Sequence, residues 1–284
     1  MICYNRRAML DSGTHHRSRS IINTVLLLAG LAASSSAKEK SGGDALADLL
    51  GRAKGRIAAG QADSAFSLLR QELFEEVQGM SQTSPHQLDE RLTRGVVLTA
   101  QAAGKPWEGV SAIETVLPMR PGEVQLHLAL GELEMGRARP EWALRHFERA
   151  LLLDDHSADA LGGFARARSA IGGIEPGKRY FDQLIQARPQ EGAPRYGKGL
   201  LLLDADSPAD AMTDLRWAIG LGQGEWRFER AYGQALALNG QRDDAVKAYQ
   251  RALDALKKGG DPLMADRVAS ELAALKSGKP AGKS

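Results

Sequence analysis

The sequence has little cysteine and few aromatic residues. Its one cysteine, Cys3, lies ahead of every segment with a folded pattern, so the body of the chain has neither a disulfide framework nor a thiolate metal site. Aromatic residues make up 5% of the 284 residues, whereas glycine alone occurs 31 times. A core with so few large rings must rely on close contacts between helices, which small residues permit. This composition favours stacked helices.

An excess of charge of one sign is also missing. The formal net charge is +2, and residues 1–37 contain four arginines against one aspartate, which leaves 33 basic and 34 acidic residues after them. Proteins that bind nucleic acid usually carry a basic excess or a basic stripe. We therefore predict no nucleic-acid partner.

Residues 1–37 have the layout of a signal peptide. Basic residues through Arg19 precede an apolar run from Ile21 to Ala33, and small residues follow up to Ala37. The run of 13 residues is shorter than the roughly 20 that a helix needs to cross a bilayer. We expect cleavage after Ala37, export to the periplasm and no membrane contact afterwards. The alternatives are an uncleaved segment that anchors the protein in the inner membrane, a mitochondrial presequence, or a buried helix.

From Glu90 onward the sequence repeats with a period of 34 residues. Small residues let two antiparallel helices approach closely, and a bulky residue fills the space between neighbouring pairs. Each pair leaves an apolar face that only the next pair can bury, so the array is stable through contacts between neighbours. Two columns of small residues and one of bulky residues carry the period: Gly131, Ala165, Gly199 and Gly233; Ala143, Gly177, Ala211 and Ala245; and Phe147, Phe181, Leu215 and Tyr249.

Prolines support the same register. Pro106, Pro140 and Pro208 lie 34 or twice 34 residues apart, where the second helix of each repeat should begin. Proline fits the first position of a helix because its missing N–H would have no partner within the helix there. Pro121 and Pro189 fall at repeat ends, where they stop a helix.

Two segments resemble tetratricopeptide repeats (TPRs): Leu128 to Asp154 (LALGELEMGRARPEWALRHFERALLLD) and Tyr232 to Asp254 (YGQALALNGQRDDAVKAYQRALD). The resemblance implies an exported bacterial TPR protein with an all-α fold, a right-handed superhelix or α-solenoid of about six helix pairs plus a C-terminal capping helix. One departure is Lys198, which occupies a position that is normally apolar in the family. The predicted segments are a signal peptide at 1–37, a linker at 38–45, a TPR-like repeat at 46–80, a loop at 81–89, five repeats at 90–259, a capping helix at 260–276 and a disordered tail at 277–284.

The resemblance also implies a binding face. In this family, partners bind the concave face formed by the first helices of the repeats. Arginine outnumbers acidic residues there, so we expect it to bind carboxylates on an extended peptide or an acidic helix; a solvated helix face is the alternative. The residues predicted to bind a partner are Arg91, Arg94, Gln125, Glu132, Arg166, Tyr196, Arg227, Arg230 and Gln234.

No catalytic, phosphate or metal motif stands out in the body of the chain. Gly220, Gly222 and Gly224 spell GxGxG, but no predicted strand precedes them, so we interpret them as a turn. The histidines are too scattered to form a ligand set, although His127 and His146 could approach one another across a helix pair. We expect the four tryptophans to serve packing.

These observations predict a non-catalytic adaptor or scaffold without cofactor or metal. It would bind a peptide or protein partner in the bacterial cell envelope; analogy with other exported TPR proteins suggests a secretion, pilus or polysaccharide-export assembly. The alternative is a glycan- or peptidoglycan-binding module, which would show exposed tryptophans on the concave face.

Overall fold

The computed structural model describes residues 42–80, 87–172, 174–222 and 225–277. The chain divides into two compact units, Met1–Leu46 and Ala47–Ser284. The predicted signal peptide, and the tail beyond Ser277, lie outside the described residues. None of the described helices is long and apolar enough to cross a membrane.

Six helix pairs and a last single helix make up the described residues, and no strand occurs among them. The prediction of an all-α array of TPR helix pairs with a final capping helix is confirmed. The helices are α1 (Gly42–Ala58), α2 (Ala62–Gly79), α3 (Glu90–Ala102), α4 (Pro106–Val116), α5 (Val124–Gly136), α6 (Pro140–Leu153), α7 (Ala158–Ala170), α8 (Ile174–Ala187), α9 (Gly192–Asp204), α10 (Pro208–Leu221), α11 (Trp226–Leu238), α12 (Arg242–Lys258) and α13 (Pro262–Lys276).

The first helices from α3 to α11 begin at the five residues where the sequence repeats begin. Capping explains three of these starting points: the side chains of Asp89, Ser157 and Glu225 each accept a hydrogen bond from a backbone N–H of the first turn. The helices α5 and α9 begin without a side-chain cap. The upstream boundary was wrong, because α1 begins at Gly42, inside the predicted linker. Glycine is a poor helix former, but a helix extends easily once its nucleus has formed.

The second helices α4, α6 and α10 begin at the three prolines. The turns before the second helices place one residue in the left-handed region at a spacing of 34 residues, and two of these residues are not glycine: Ala138 and Asp206, each with a φ of 55°. A left-handed conformation costs a non-glycine residue about 1–2 kcal/mol. The left-handed turn therefore recurs at this place in each repeat, even where the residue is not the glycine that favours it.

The small and bulky columns meet in the core. A Cβ added to Gly131 would lie 2.5 Å from the Phe147 ring, and one added to Gly199 would lie 2.5 Å from Leu215. Phe147 and Leu215 are themselves fully buried. The bulky side chain of each second helix thus fills a space that exists because its first helix carries no side chain there.

The departure at Lys198 is accommodated by two carboxylates. Its Nζ lies 2.7 Å from Asp182 of α8 and 3.5 Å from Asp214 of α10. A cation between two acids retains favourable interactions when partly buried. The first helix of this repeat, α9, therefore forms in register despite the lysine.

The last helix of the unit contacts α3. Arg94 Nη1 lies 2.6 Å from Asp261 Oδ2, at the start of α13. Leu98 packs against the apolar cluster that α11, α12 and α13 share. The first helices from α3 to α11, together with α13, consequently face a common interior.

Candidate functional site

Residues of α3, α5, α7, α9, α11 and α13 line an internal cavity of about 150 Å³, and all of its lining residues come from these helices. This cavity is the meeting point of the predicted binding positions. Eight of the nine predicted residues lie in its wall: Arg94, Gln125, Glu132, Arg166, Tyr196, Arg227, Arg230 and Gln234.

Arg91 is the predicted residue that lies elsewhere. Its Nη2 lies 2.6 Å from Asp89 Oδ2, and its Nη1 donates to the Gly259 carbonyl oxygen at 3.1 Å. Guanidinium groups suit such bridging because they carry several donors in one plane. Arg91 therefore fastens the turn before α13 to the start of α3 and does not line the cavity.

Arg227 lies at the centre of a cluster of carboxylates. Its Nη2 is 2.7 Å from both Asp159 Oδ2 and Glu90 Oε2, and its Nη1 is 2.7 Å from Glu225 Oε1. The side chain is 9% exposed. Because Glu90 and Asp159 come from α3 and α7, this one guanidinium joins three first helices.

The other cavity arginines are paired as well. Arg230 Nη2 lies 2.7 Å from Glu271 Oε1, and Arg166 forms an ion pair with Glu132. Arg94 pairs with the buried Asp261. Arg267, the remaining arginine of the wall, lies 3.7 Å from Glu271, which it shares with Arg230. The chain's own carboxylates therefore pair with each arginine of the wall, which does not support the expectation that arginine would attract carboxylates of a partner.

The electrostatics of the cavity hold Asp159 in its charged form and Tyr196 in its neutral form. Burial by itself raises the pKa of Asp159, but Arg227, with Arg94 and Arg166, lowers it to about 2. Burial, with the charge of Asp159, raises the pKa of Tyr196 to about 12. Asp159 is thus ionised and Tyr196 neutral across the physiological pH range.

A wider, more open pocket of about 690 Å³ adjoins the cavity at the starts of the first helices. Glu90, Gln125, Asp159 and Arg227 line both spaces. We call the open pocket the mouth. A group that passes from the mouth into the cavity must pass the Arg227 cluster.

Three of the four tryptophans contradict the packing prediction, whereas Trp226 packs against the apolar cluster of α11, α12 and α13. Trp107 is 62% exposed, Trp142 is 53% exposed and Trp217 is 58% exposed, all on second helices. The core uses the bulky column instead, and these rings lie on the opposite side of their helices. Trp226 alone lines the cavity, and Arg94 and Arg227 lie over its ring at 5.2 and 4.7 Å.

Two histidines approach one another as the sequence allowed. The rings of His127 and His146 stack with centroids 6.0 Å apart, and His127 Nε2 donates to the Pro121 carbonyl oxygen at 3.3 Å. Burial, with the charge of His127, lowers the pKa of His146 to about 4. Among the described residues no group of three His, Cys, Asp or Glu side chains is arranged to hold a metal ion.

Sequence reasoning missed three carboxylates around the cavity. Glu90 stands at the first position of its repeat, and Asp261 and Glu271 belong to the capping helix. The family's binding columns include none of these positions. Glu90 and Asp261 are acidic residues at helix starts, which the capping preference explains equally well, and Glu271, inside the last helix, carries no sequence signal of its own.

Comparison with known proteins gives likenesses to solved structures. No family model and no curated protein matches the sequence. A tetratricopeptide-repeat protein of Parabacteroides merdae is 18% identical, with a TM-score of 0.47 over 81% of this chain and 98% of that one. TTC0263, a TPR protein of Thermus thermophilus, is 16% identical, with a TM-score of 0.45 over 64% of this chain and 98% of that one.

A third similar structure is YrrB, described as a TPR protein with an unusual peptide-binding site. It is 13% identical, with a TM-score of 0.34 over 64% of this chain and 92% of that one. These likenesses concern the fold alone. Helix pairs in a 34-residue register, with small residues set against bulky ones, give this chain the fold of a tetratricopeptide-repeat protein.

Proposed function

We propose that the chain is a non-catalytic adaptor of the bacterial cell envelope that holds a peptide or protein partner against its first helices. Repeat solenoids commonly use their concave surface to bind partners. The observation that carries the proposal is the convergence of eight predicted residues on one cavity with an open mouth. YrrB, similar in fold, is described as having a peptide-binding site.

The sizes of the two spaces determine how a partner fits. A cavity of about 150 Å³ takes a group of about the size of a benzene ring. The mouth, at about 690 Å³, is large enough for a short chain segment. One side chain of the partner would therefore enter the cavity, while the segment that carries it lies in the mouth.

The chemistry of the walls favours a neutral or mixed segment. Gln125 and Gln234 offer both donors and acceptors, and Tyr196 offers a flat, neutral ring. A carboxylate of the partner would have to displace Asp159 or Glu90 from Arg227, and breaking a buried pair is unfavourable. Selection in the cavity would then depend on shape and hydrogen bonds more than on net charge.

A glycan-binding module is the second candidate. It would use an open aromatic ring on the concave face, but Trp226 is covered there by two guanidinium groups, and the exposed tryptophans lie on second helices. This arrangement favours the protein-binding adaptor.

A cavity-filling substitution tests the binding site. Gln125→Trp would fill the passage between mouth and cavity, whereas Gln183→Trp places the same ring on the exposed side of α8. Partners cross-linked to the tagged full chain in the envelope of its own host would be identified for each. Loss with Gln125→Trp and retention with Gln183→Trp supports the proposal, and a partner retained by both contradicts it. Circular dichroism of both variants first establishes that they fold.

Export rests on residues 1–37. We expect fractionation to place the protein in the periplasm and mass spectrometry to give a mature N-terminus at Lys38. Retention of the segment in an inner-membrane fraction would support the anchored alternative. A full-length product in the cytosol would contradict both. A role in secretion, pilus or polysaccharide-export assembly then follows from the identity of the captured partner.

A further inference from the structure

The mouth carries more negative than positive charge. Its lining contains five carboxylates but one guanidinium, that of Arg227. The cavity behind it is more balanced, because five arginines of its wall face four acidic residues. A segment that approaches the site therefore meets an acidic entrance before it meets a neutralised interior. The five carboxylates of the mouth are Glu90, Asp154, Asp159, Glu191 and Glu225.

The arginines near the mouth do not cancel this charge, because each also pairs with an acid outside it. Arg94 lies 3.2 Å from Glu90, yet it also pairs with the buried carboxylate at the start of α13. Arg188 lies 3.8 Å from Glu191, yet it also pairs with Asp155. The carboxylates around the mouth thus outnumber the cations that contact them.

Helix capping does not account for two of the five carboxylates. Asp154 follows the last residue of α6, at the end of the helix where the backbone dipole disfavours negative charge. It accepts a hydrogen bond from the His156 N–H at 3.1 Å but forms no ion pair with a described residue. Glu191 precedes α9, yet its side chain accepts no hydrogen bond from the first turn of that helix. Capping therefore explains Glu225 but neither Asp154 nor Glu191.

Behind the mouth, the cavity contains a hydroxyl without a hydrogen-bond partner. Tyr196 lines the cavity, is 9% exposed and makes no hydrogen bond with any described residue. Its ring centroid lies 5.0 Å from that of Phe228, which lines the mouth, so Tyr196 stands where the two spaces meet. The amides of Gln125 and Gln234 in the same wall are also without hydrogen bonds among the described residues. An unpaired polar group in a closed space is unfavourable, so a bound group that pairs with the hydroxyl is stabilised.

We propose that the partner segment is basic, with lysine or arginine in the mouth on both sides of a neutral polar residue that enters the cavity. This inference rests on the proposed function, because it describes the segment that the same site would bind. Asp154 and Glu191 pair with the cations, and the Tyr196 hydroxyl bonds to an amide or hydroxyl of the entering side chain. The cations stay in the mouth, because Arg227 at the passage would repel them.

Other occupants of the mouth meet only part of this chemistry. An acidic segment would face the excess of carboxylates. A divalent cation needs several oxygen ligands set close together, and the described residues contain no group of three that could hold a metal ion. A polyamine has the right charge but brings no neutral polar side chain for the Tyr196 hydroxyl. A basic peptide segment satisfies both the mouth and the cavity.

Peptide libraries test the proposal with the tagged full chain. Both libraries consist of peptides of about seven residues, which span roughly 24 Å when extended, and both vary the central position over neutral residues. One carries lysine on either side of the centre and the other carries glutamate. We expect capture and mass spectrometry to show an enrichment of lysine peptides of at least about tenfold at low salt, and less at high salt. Among them, a central serine, threonine, asparagine or glutamine should be preferred.

Neutral substitutions of similar shape identify the groups responsible. D154N/E191Q should weaken the binding of a selected lysine peptide at least about threefold in fluorescence anisotropy, because two attractive charges are lost. The control E141Q/D210N neutralises two exposed acids on α6 and α10 and should leave the affinity unchanged. Y196F should remove the preference for a polar centre and keep the preference for lysine. Circular dichroism must show that all three variants fold.

The outcomes separate this inference from the proposed function. Equal capture of both libraries, or a preference for glutamate, with loss of capture in Gln125→Trp, would overturn the basic segment and leave the binding site in place. An equal loss in D154N/E191Q and E141Q/D210N would also overturn it. Capture of neither library, or capture that Gln125→Trp leaves unchanged, would contradict the site itself and this inference with it. Binding of spermidine without binding of either library would assign the mouth to a polyamine.

Discussion

The cavity wall and the outer side of α6, which exposes Trp142, Arg145 and Arg149, both contain arginine and tryptophan, yet their arginines have different partners. Arg227 in the cavity contacts three carboxylates, whereas Arg145 outside contacts none among the described residues. Paired and buried arginines hold helices together, and free ones are available to a partner. A residue type at a family's binding position therefore does not by itself indicate a binding role.

The difference follows from where the carboxylates lie. Asp261 and Glu271 both belong to the segment of α13 and pair with Arg94 of α3 and Arg230 of α11. Asp261 is far along the chain from Arg94 and meets it because the last helix packs on α3. Among the described residues no element packs over the outer side of α6, and Arg145 and Arg149 are exposed. The inner side is then expected to determine stability, and the outer side to contribute little to it.

The largest effect is expected from a substitution in the cavity wall. Arg227→Ala would leave Asp159, Glu90 and Glu225 close together without their cation. Removing one partner of a buried ion pair costs about 3–5 kcal/mol in free energy of unfolding. Urea denaturation measures it. Arg145→Ala should change the same quantity by less than about 0.5 kcal/mol; a similar loss in both variants would contradict the division between the two sides.

A smaller effect is expected where α13 meets α3. Asp261 accepts a hydrogen bond from the Met264 N–H, as the cap of α13, and pairs with Arg94 at 2.6 Å. Asp261→Ala would lose both, about 2–4 kcal/mol in free energy of unfolding. Asp261→Asn keeps the cap and should lose less. Thermal unfolding compares them with Lys54→Ala, which removes an exposed pair with Asp266 worth at most about 1 kcal/mol. Equal losses of stability in all three variants would show that the buried contacts of Asp261 contribute no more than an exposed ion pair does.

The histidine pair between α5 and α6 makes the stability of the folded chain depend on pH. The pKa of His146 is about 4 in the folded chain and about 6.5 when unfolded, so the unfolded chain binds more protons between these values. Stability is therefore full above about pH 6.5 and falls as the pH falls toward 4.

Urea midpoints at pH 7, 5.5 and 4 test this expectation. His146→Gln should flatten the decline, because glutamine does not titrate in this range. The pKa of His127 is also lowered, mainly by burial, so a part of the loss of stability at low pH remains in His146→Gln. An unchanged pH profile in His146→Gln would contradict the assignment.

The smallest expected effect concerns the turn before α6. Ala138 lies between Arg137 and Arg139 with a φ of 55°, a conformation that glycine adopts without steric strain. Ala138→Gly should raise the free energy of unfolding by about 1 kcal/mol or less. Gly104→Ala, at the equivalent turn with a φ of 68°, should lower it by a similar amount. The reverse order of stabilities in chemical denaturation would contradict the interpretation.

Much of the fold could be predicted because its signals are local. Pro140 sets the start of α6, and Gly131 leaves the space that Phe147 fills, and both follow from the period of the sequence. The binding positions could be placed on one face by resemblance. The ion pairs of these residues could not be predicted, because partners such as Arg227 and Glu90 are 137 residues apart in the sequence.

The 34-residue array of helix pairs, its register and the helix-starting residues follow from the amino-acid sequence, since each depends on chemistry within one repeat. Which arginines are neutralised and which tryptophans face water follows from the packing of distant helices. Those outcomes depend on α13 closing against α3 and on the rotation of each helix about its axis. Arg94 and Asp261, 167 residues apart, are adjacent for that reason alone.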